Sequence, residues 1–297
     1  MSKTLPVAAL VLNALVWGIS WWPFKQLQAA GLHPLWATAV MFGIATVVLL
    51  LWRRGAVRST LGHPGLWGLA LAAGLTNISF NWAVTAGDVV RVVLLFYLMP
   101  AWSVLLAWWL LGEKPTALRL AQLALAMAGV ALVLLPPDGA LQRLATGFGL
   151  TDALAIAGGA GFALTNILLR RLHKAPDDAR ALAMFAGCLA TALVGASIGT
   201  WAGAWPGLPA PTLPWVALVC GMALLFLAGN YGLQYGAARL AAGTTALVML
   251  SEVIFASASS VLLGQAQLTW PVVVGGVLIL TGALLSIRQT SAHSPTP

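Results

Sequence analysis

The feature that most constrains the fold of this chain is a succession of ten apolar segments, each about as long as a bilayer is thick. A membrane-spanning helix needs about 20 predominantly apolar residues, and the loops between these segments are short. The segments lie near 5–24, 34–52, 64–86, 90–111, 117–136, 147–170, 179–202, 213–236, 240–263 and 270–288. The sequence therefore predicts an all-α integral membrane protein with ten transmembrane helices.

Composition supports a bilayer as the solvent of this chain. Hydrophobic residues make up 60% of the 297 residues and charged residues only 7%, whereas about a quarter of a soluble domain is charged. The net charge of +8 does not indicate nucleic-acid binding, because the basic residues lie in short loops. Cys188 and Cys220 lie within apolar segments, and no spacing typical of a metal site is present. We expect neither a metal nor a cofactor.

The distribution of basic residues predicts how the chain is oriented. With the N-terminus in the cytoplasm, twelve of the fifteen Lys and Arg residues lie on the cytoplasmic side, and only Lys25, Arg91 and Arg143 lie opposite. Cytoplasmic loops carry an excess of Lys and Arg in membrane proteins. The pattern therefore favours N-in/C-in, with both termini in the cytoplasm, as an even number of spans requires.

The two halves of the chain carry similar patterns. YLMPAWSVLLAWWLLGE (97–113) aligns with MLSEVIFASASSVLLGQ (249–265) at an offset of 152, which places Pro100 opposite Glu252. NWAVTAG (81–87) likewise resembles NYGLQYG (230–236). An odd number of spans in each half inserts the second half upside down, and inverted repeats are typical of secondary transporters. We therefore predict two inverted five-helix repeats, residues 1–145 with helices 1–5 and residues 146–297 with helices 6–10.

Polar and aromatic residues within the spans are candidates for a central substrate cavity, because polar side chains in a membrane face the bundle interior. Spacings of three and four place several of them on shared helical faces. The candidates for substrate binding are Asn13, Trp17, Ser20, Asn77, Asn81, Tyr97, Pro100, Trp102, Phe162, Thr165, Asn166, Asn230, Gln234, Met249 and Glu252. Pooled, they offer amides, hydroxyls, aromatic walls and one carboxylate, which suits small zwitterions or uncharged metabolites rather than phosphate esters. Hydrogen bonding between helices is an equal alternative role for the amides.

Glu252 stands in a run that is otherwise apolar or small, ALVMLSEVIFASASS (246–260). A charged side chain at the centre of a membrane helix costs about 2.5–3.5 kcal/mol on insertion scales, so this position needs a compensating role. Three roles are open: binding a substrate ammonium, carrying a proton in exchange, or tying the ninth span to its neighbours as a neutral donor. Pro100 removes one helix hydrogen bond, and the kink serves either as a hinge or only to shape the bundle.

The chain resembles the drug/metabolite transporter superfamily in its ten-helix EamA-type branch. The resemblance is carried by Trp17 and Gly18 in the first span, by YLMP…LLGE closing the fourth span and by LSE…LLGQ closing the ninth. Residues 87–113 are similar to YddG-type aromatic amino-acid exporters. One departure is Gln265, where the family usually has Glu, so the acidic residue is present once, at Glu113.

The resemblance implies a function. It implies a multi-pass transporter of the bacterial inner (cytoplasmic) membrane that exports small metabolites, foremost amino acids including aromatic ones. The transporter would work by alternating access around a midplane cavity. We expect a small-molecule substrate and the lipid bilayer as its partners, no nucleic acid, and a monomer.

Other functions fit the sequence less well. The four His residues lie in loops or in the tail, and neither HExxH nor a GxSxG elbow is present, which argues against an enzyme. A filter loop or ring of charges, as in a channel, is not visible either. Within transport, the alternative is a broad-specificity drug/proton antiporter, which the absence of an acid in the first span disfavours.

Overall fold

The computed structural model describes residues 4–86, 89–134, 147–264 and 269–292, where helices are joined by loops and no strand occurs. This confirms the predicted all-helical class. The helices before residue 134 are α1 (Thr4–Ile19), α2 (Trp21–Ala29), α3 (Pro34–Trp52), α4 (Ala56–Leu61), α5 (Gly65–Ala86), α6 (Val89–Phe96), α7 (Met99–Leu111) and α8 (Ala117–Val133). Those after residue 149 are α9 (Leu150–Arg171), α10 (Asp177–Trp201), α11 (Leu213–Ala237), α12 (Ala242–Met249), α13 (Ser251–Leu262) and α14 (Trp270–Ala292).

Many of these helices are long and apolar enough to cross a membrane. Within the described residues, seven segments meet this criterion of length and composition, where α1–α2, α6–α7 and α12–α13 each count as one segment. The apolar helices Ala117–Val133 and Trp270–Ser286 are shorter. The helix α5 has 22 residues, but its polar residues Thr76, Asn77 and Asn81 lower its mean hydropathy. The ten predicted segments thus all contain helix, and the count of ten spans remains a prediction.

The first predicted span is two helices rather than one. It breaks at Ser20, between α1 and α2, where the Ser20 hydroxyl donates a hydrogen bond of 2.7 Å to the Trp17 carbonyl. Pro23 explains the break, because a proline has no N–H to donate to the carbonyl four residues earlier, which is that of Ile19.

The fourth and ninth spans are broken as well, at positions 152 residues apart. The α-helix of the fourth span is interrupted at Tyr97 and Leu98, between α6 and α7, and that of the ninth at Leu250, between α12 and α13, although Leu98 and Leu250 keep right-handed helical backbone angles. Pro100 accounts for the first break through the Phe96 carbonyl. The second has no proline; instead the Ser251 hydroxyl donates to the Val248 carbonyl at 2.8 Å, and a side-chain bond of this kind competes with the helical ladder.

The helices pack in two corresponding sets. One set places α1 against α11 and α13, and the other places α9 against α5 and α7, while α3 contacts α10 and α8 contacts α14. Glycine permits the closest approaches: a Cβ on Gly18 would lie 2.7 Å from the Glu252 carbonyl oxygen, and one on Gly159 would lie 2.5 Å from the Phe96 carbonyl oxygen. Small residues at helix interfaces are how membrane helices come into such close contact.

Ion pairs join α9 to the fourth span at both ends. Near the start of α9, Arg91 contacts Asp152 through two bonds, Nε to Oδ1 at 2.6 Å and Nη2 to Oδ2 at 2.8 Å. At the other end, Arg170 Nε donates to Glu113 Oε1 at 2.9 Å, and Arg170 also donates to the Leu240 carbonyl. Glu113, the acidic residue found in only one half, therefore forms a bond between the halves.

Some predicted features lie outside the described residues. They are the boundary between the halves at 145/146, Gln265 in the LLGQ motif, and the loop position Arg143. The glycines that precede Glu113 and Gln265 are described: Gly112 (φ 70°) and Gly264 (φ 66°) both end a helix in the left-handed conformation, which glycine adopts readily.

Candidate small-molecule cavity

A cavity of about 60 Å³ lies among helices of both halves of the chain. Sites for small molecules are lined mainly by apolar and aromatic side chains with a few polar groups. The lining residues are Trp17, Phe42, Ala73, Thr76, Asn77, Phe80, Phe96, Met99, Phe162, Thr165, Met184, Cys188, Asn230, Leu233, Met249 and Glu252. The breaks of the fourth and ninth spans lie next to this lining, because Phe96 and Met99 flank one break and Met249 and Glu252 flank the other.

Seven of the fifteen sequence candidates line the cavity. They are Trp17, Asn77, Phe162, Thr165, Asn230, Met249 and Glu252. They come from α1, α5, α9, α11, α12 and α13, so helices from all along the chain converge on one space. Their role in substrate binding remains a prediction.

The other eight candidates lie outside the lining. Asn81 donates a hydrogen bond to the Thr38 hydroxyl at 2.8 Å, and the Ser20 hydroxyl donates to the Trp17 carbonyl at the break between α1 and α2. Pro100 borders a smaller pocket beside Gln122 and Thr244. The remaining five are Asn13, Tyr97, Trp102, Asn166 and Gln234, of which Tyr97 lies beside the lining residue Glu252.

The amides of Asn13, Asn166 and Gln234 are buried near the cavity. Asn13 and Gln234 each lie one helical turn from a lining residue, Trp17 and Asn230 respectively, and Asn166 directly follows Thr165. Their side-chain nitrogen and oxygen atoms have no hydrogen-bond partner among the described residues. An unpaired buried amide is costly, so these groups are strong candidates for contacts in another state of the protein.

Nine lining residues were not among the sequence candidates. They are Phe42, Ala73, Thr76, Phe80, Phe96, Met99, Met184, Cys188 and Leu233. Those of α5 could have been found from the spacing of four that links Ala73 to Asn77 and Thr76 to Phe80. Phe42, on α3, and Met184 and Cys188, on α10, had no such signal, because the hydroxyl residues of the second and seventh spans, such as Thr46 and Thr191, do not line this cavity.

Glu252 lies in the first turn of α13, at the wall of the cavity. Its carboxyl group interacts with the hydroxyl of Tyr97, which is buried on the other broken span. The carboxyl is therefore shared between a protein partner and the cavity. All three roles suggested for it by the sequence remain chemically open.

Most side-chain donors of the cavity are already engaged within the protein. Thr76 and Thr165 donate to the Ala72 and Gly161 carbonyls at 2.8 and 2.9 Å. The Asn77 amide nitrogen donates to the Ala73 carbonyl and to Cys188 Sγ, both at 3.1 Å. The Asn230 amide nitrogen donates to the Phe226 carbonyl at 2.8 Å. What these groups present to a ligand is therefore chiefly oxygen acceptors.

A second cavity lies near the C-terminal end of α3 and the start of α10. It measures about 330 Å³ and is bordered by Arg53, Asp177, Asp178 and Tyr231. The Tyr231 ring lies 6.5 Å from the Phe185 ring, which lies 6.0 Å from the ring of Phe42, a lining residue of the first cavity. These three aromatic rings form a continuous layer between the two cavities.

Apolar helices of spanning length packed around an internal cavity are typical of a multi-pass membrane protein. Residues 4–135 match the family model of the EamA-like transporter family. That family consists of membrane transporters, and the match covers fewer than half of the residues of this chain. No protein of curated function matches the sequence.

A solved structure shares the fold over the full length of the chain. Its printed description is "Crystal structure of protein", and it matches with a TM-score of 0.79, covering 100% of both chains at 20% sequence identity. A likeness at this identity shows the fold alone. It does extend the structural similarity beyond residue 135, where the family match ends.

Proposed function

We propose that this protein is a secondary transporter of the bacterial inner membrane that exports small metabolites, foremost amino acids including aromatic ones. The two halves act as inverted five-helix repeats and give alternating access to the cavity near the midplane. The protein works as a monomer with both termini in the cytoplasm. One observation carries the proposal: the cavity is walled by both halves and adjoins the breaks of the fourth and ninth spans.

Correspondence between the halves supports the inverted repeat. The helix breaks at Leu98 and Leu250 are 152 residues apart, and so are the left-handed glycines Gly112 and Gly264. The packing of α1 against α11 and α13 has its counterpart in the packing of α9 against α5 and α7. Broken helices around a midplane site are a recurrent construction in transporters built from inverted repeats.

The two cavities support a route to the cytoplasm. The second cavity lies at the end of α3 and the start of α10, which the distribution of basic residues places on the cytoplasmic side. The layer of Tyr231, Phe185 and Phe42 separates it from the central cavity. Rearrangement of these rings would join the two cavities and admit substrate from the cytoplasm.

The proposal is tested by reconstituting the purified protein in liposomes and measuring transport. Flux of radiolabelled amino acids is measured with and without a pH gradient, for the natural protein and for Glu252→Gln. Flux that follows the gradient and is lost in the variant assigns proton coupling to Glu252. Flux that ignores the gradient and survives the substitution makes the protein a facilitator with a structural Glu252. Absence of flux for every amino acid contradicts the substrate class.

A further inference from the structure

We propose that the central cavity selects its substrates by a cationic amino group on an aromatic or apolar body, and that it disfavours a free carboxylate. This inference rests on the proposed transport function, but it shifts the preferred substrates from free amino acids to amines that lack a carboxylate. Aromatic monoamines and amino-acid amides are then better ligands than the corresponding free amino acids.

Charge is the first argument. Among the described lining residues, Glu252 is the one ionisable side chain of either sign apart from the thiol of Cys188, and Lys, Arg and His are not represented. An ammonium beside a carboxylate forms a charge-assisted hydrogen bond, which is about twice as strong as a neutral one. A substrate carboxylate would bring a second negative charge to the same wall and find no cation there.

Hydrogen-bond direction is the second argument. A carboxylate accepts hydrogen bonds, whereas an ammonium donates three. Thr76, Thr165 and Asn77 direct their donors to protein carbonyls and to a sulfur atom. The main neutral donors left for a ligand are the indole N–H of Trp17 and the second amide hydrogen of Asn230. The lining therefore suits a ligand that donates hydrogen bonds more than it suits a ligand that accepts them.

Position of the free amides is the third argument. Asn13, Asn166 and Gln234 carry the unpaired amide groups that would suit a carboxylate, but each is at most 1% exposed. None of them lines the cavity. In this conformation these three amides are thus out of a ligand's reach, while the acceptor Glu252 is within it.

Aromatic rings give the fourth argument. Trp17, Phe42, Phe80, Phe96 and Phe162 surround the cavity. The faces of such rings attract cations, most strongly when the cation is desolvated, and the same rings pack against an aromatic body. A phenyl ring that carries an alkylammonium chain can make both interactions at once, because it offers a cation and an aromatic body.

The test uses four ligands that share a phenyl ring and a two-carbon chain. They are 2-phenylethylamine, phenylalanine amide, phenylalanine and 3-phenylpropionate. Binding to the purified natural protein is measured by calorimetry in detergent rather than by flux, because a neutral amine crosses a bilayer unaided. The amine and the amide are expected to bind about tenfold tighter than phenylalanine, a factor that corresponds to about 1.4 kcal/mol, and 3-phenylpropionate to bind weakest.

Two matched variants assign the preference to the cavity carboxyl. Glu252→Gln is expected to remove most of the tenfold advantage of the amine. Glu113→Gln makes the same chemical change at an ion pair outside the cavity and is expected to leave the order of ligands unchanged. If Glu252→Gln does not fold, the order measured on the natural protein still decides the question.

The outcomes separate this inference from the proposed function. Phenylalanine binding as tightly as 2-phenylethylamine, or 3-phenylpropionate binding tightest, overturns the inference and leaves the transporter intact. The expected order together with no amino-acid flux in liposomes supports the inference about the site and contradicts amino-acid export. No binding of any of the four ligands overturns the inference.

Discussion

Two pairs of spans occupy corresponding places in the protein but are held together differently. The pair of α9 with α6–α7 is joined by ion pairs at both ends, Arg91 with Asp152 and Glu113 with Arg170. The pair of α1–α2 with α12–α13 is joined by the contact of Gly18 with the Glu252 carbonyl and by a hydrogen bond of 2.9 Å from Trp21 Nε1 to Ser259 Oγ.

The two pairs of spans therefore differ in how firmly their helices are held together. Ion pairs link α9 to the fourth span at both ends, and separating the buried pair Arg91–Asp152 would leave an unpaired charge in an apolar environment. The helices α1, α12 and α13 contain no basic residue, so α1 and the ninth span are held by packing and hydrogen bonds and move relative to each other at lower cost. Glu252, the cavity carboxyl, belongs to this second pair. We therefore expect the conformational change of transport to be concentrated there.

The largest effect is expected from Asp152→Ala. Asp152 is 3% exposed and holds both the Arg91 guanidinium and the Gly149 N–H. Removing one partner of a buried ion pair typically costs about 3–5 kcal/mol, so the free energy of unfolding in detergent should fall by about 3 kcal/mol. Asp178→Ala, at the start of α10, serves as the control. Equal small losses in both variants would contradict the idea of a clamped first pair.

The second effect concerns the close contact in the other pair. A Cβ on Gly18 would lie 2.7 Å from both the Glu252 carbonyl oxygen and Phe255 Cβ, and overpacking costs about 1–3 kcal/mol. Gly18→Ala should lower the thermal midpoint and the rate of transport together. Gly221→Ala is the control, since a Cβ there meets nothing within 4 Å. If Gly18→Ala has the thermal midpoint and the transport rate of the natural protein, then α1 and α13 already separate easily.

A smaller effect is expected from the hydrogen bond between Trp21 and Ser259. Interhelical hydrogen bonds in membrane proteins average about 0.6 kcal/mol. A double-mutant cycle of Trp21→Phe and Ser259→Ala, followed by unfolding in detergent, should return a coupling energy near that value. A coupling above about 2 kcal/mol, beyond the range of such bonds, would mean that the second pair is locked as firmly as the first.

The smallest effect is expected at Glu113. The Glu113 and Arg170 side chains are 19% and 32% exposed, and ion pairs near water contribute about 0.2–1 kcal/mol. Glu113→Gln should therefore destabilise the protein by about 0.5 kcal/mol at low salt and by less at high salt. An effect independent of salt would show that this end of the pair is held by packing and the Leu240 contact instead.

The sequence predicted the candidate site in part, and its failures have a common cause. Trp17, Asn77, Phe162 and Glu252 were found because a polar or aromatic residue within an apolar span marks an inward face. Met184 and Cys188 were missed because a thioether and a thiol give no such signal among apolar residues. Arg91 was recognised as a loop charge, but its partner Asp152 lies 61 residues away, a distance at which no local pattern can pair them.

The sequence by itself determined that this chain forms apolar helices, because ten segments of spanning length with few charges have no other way to satisfy their backbone in a bilayer. It also determined the break at Pro100, since a missing N–H acts locally. Only the tertiary structure decided the rotation of each helix, and with it which residues line the cavity and which amides are buried beside it. The physical reason is that periodicity groups residues on a face, whereas the contacts of small residues between helices choose what that face meets.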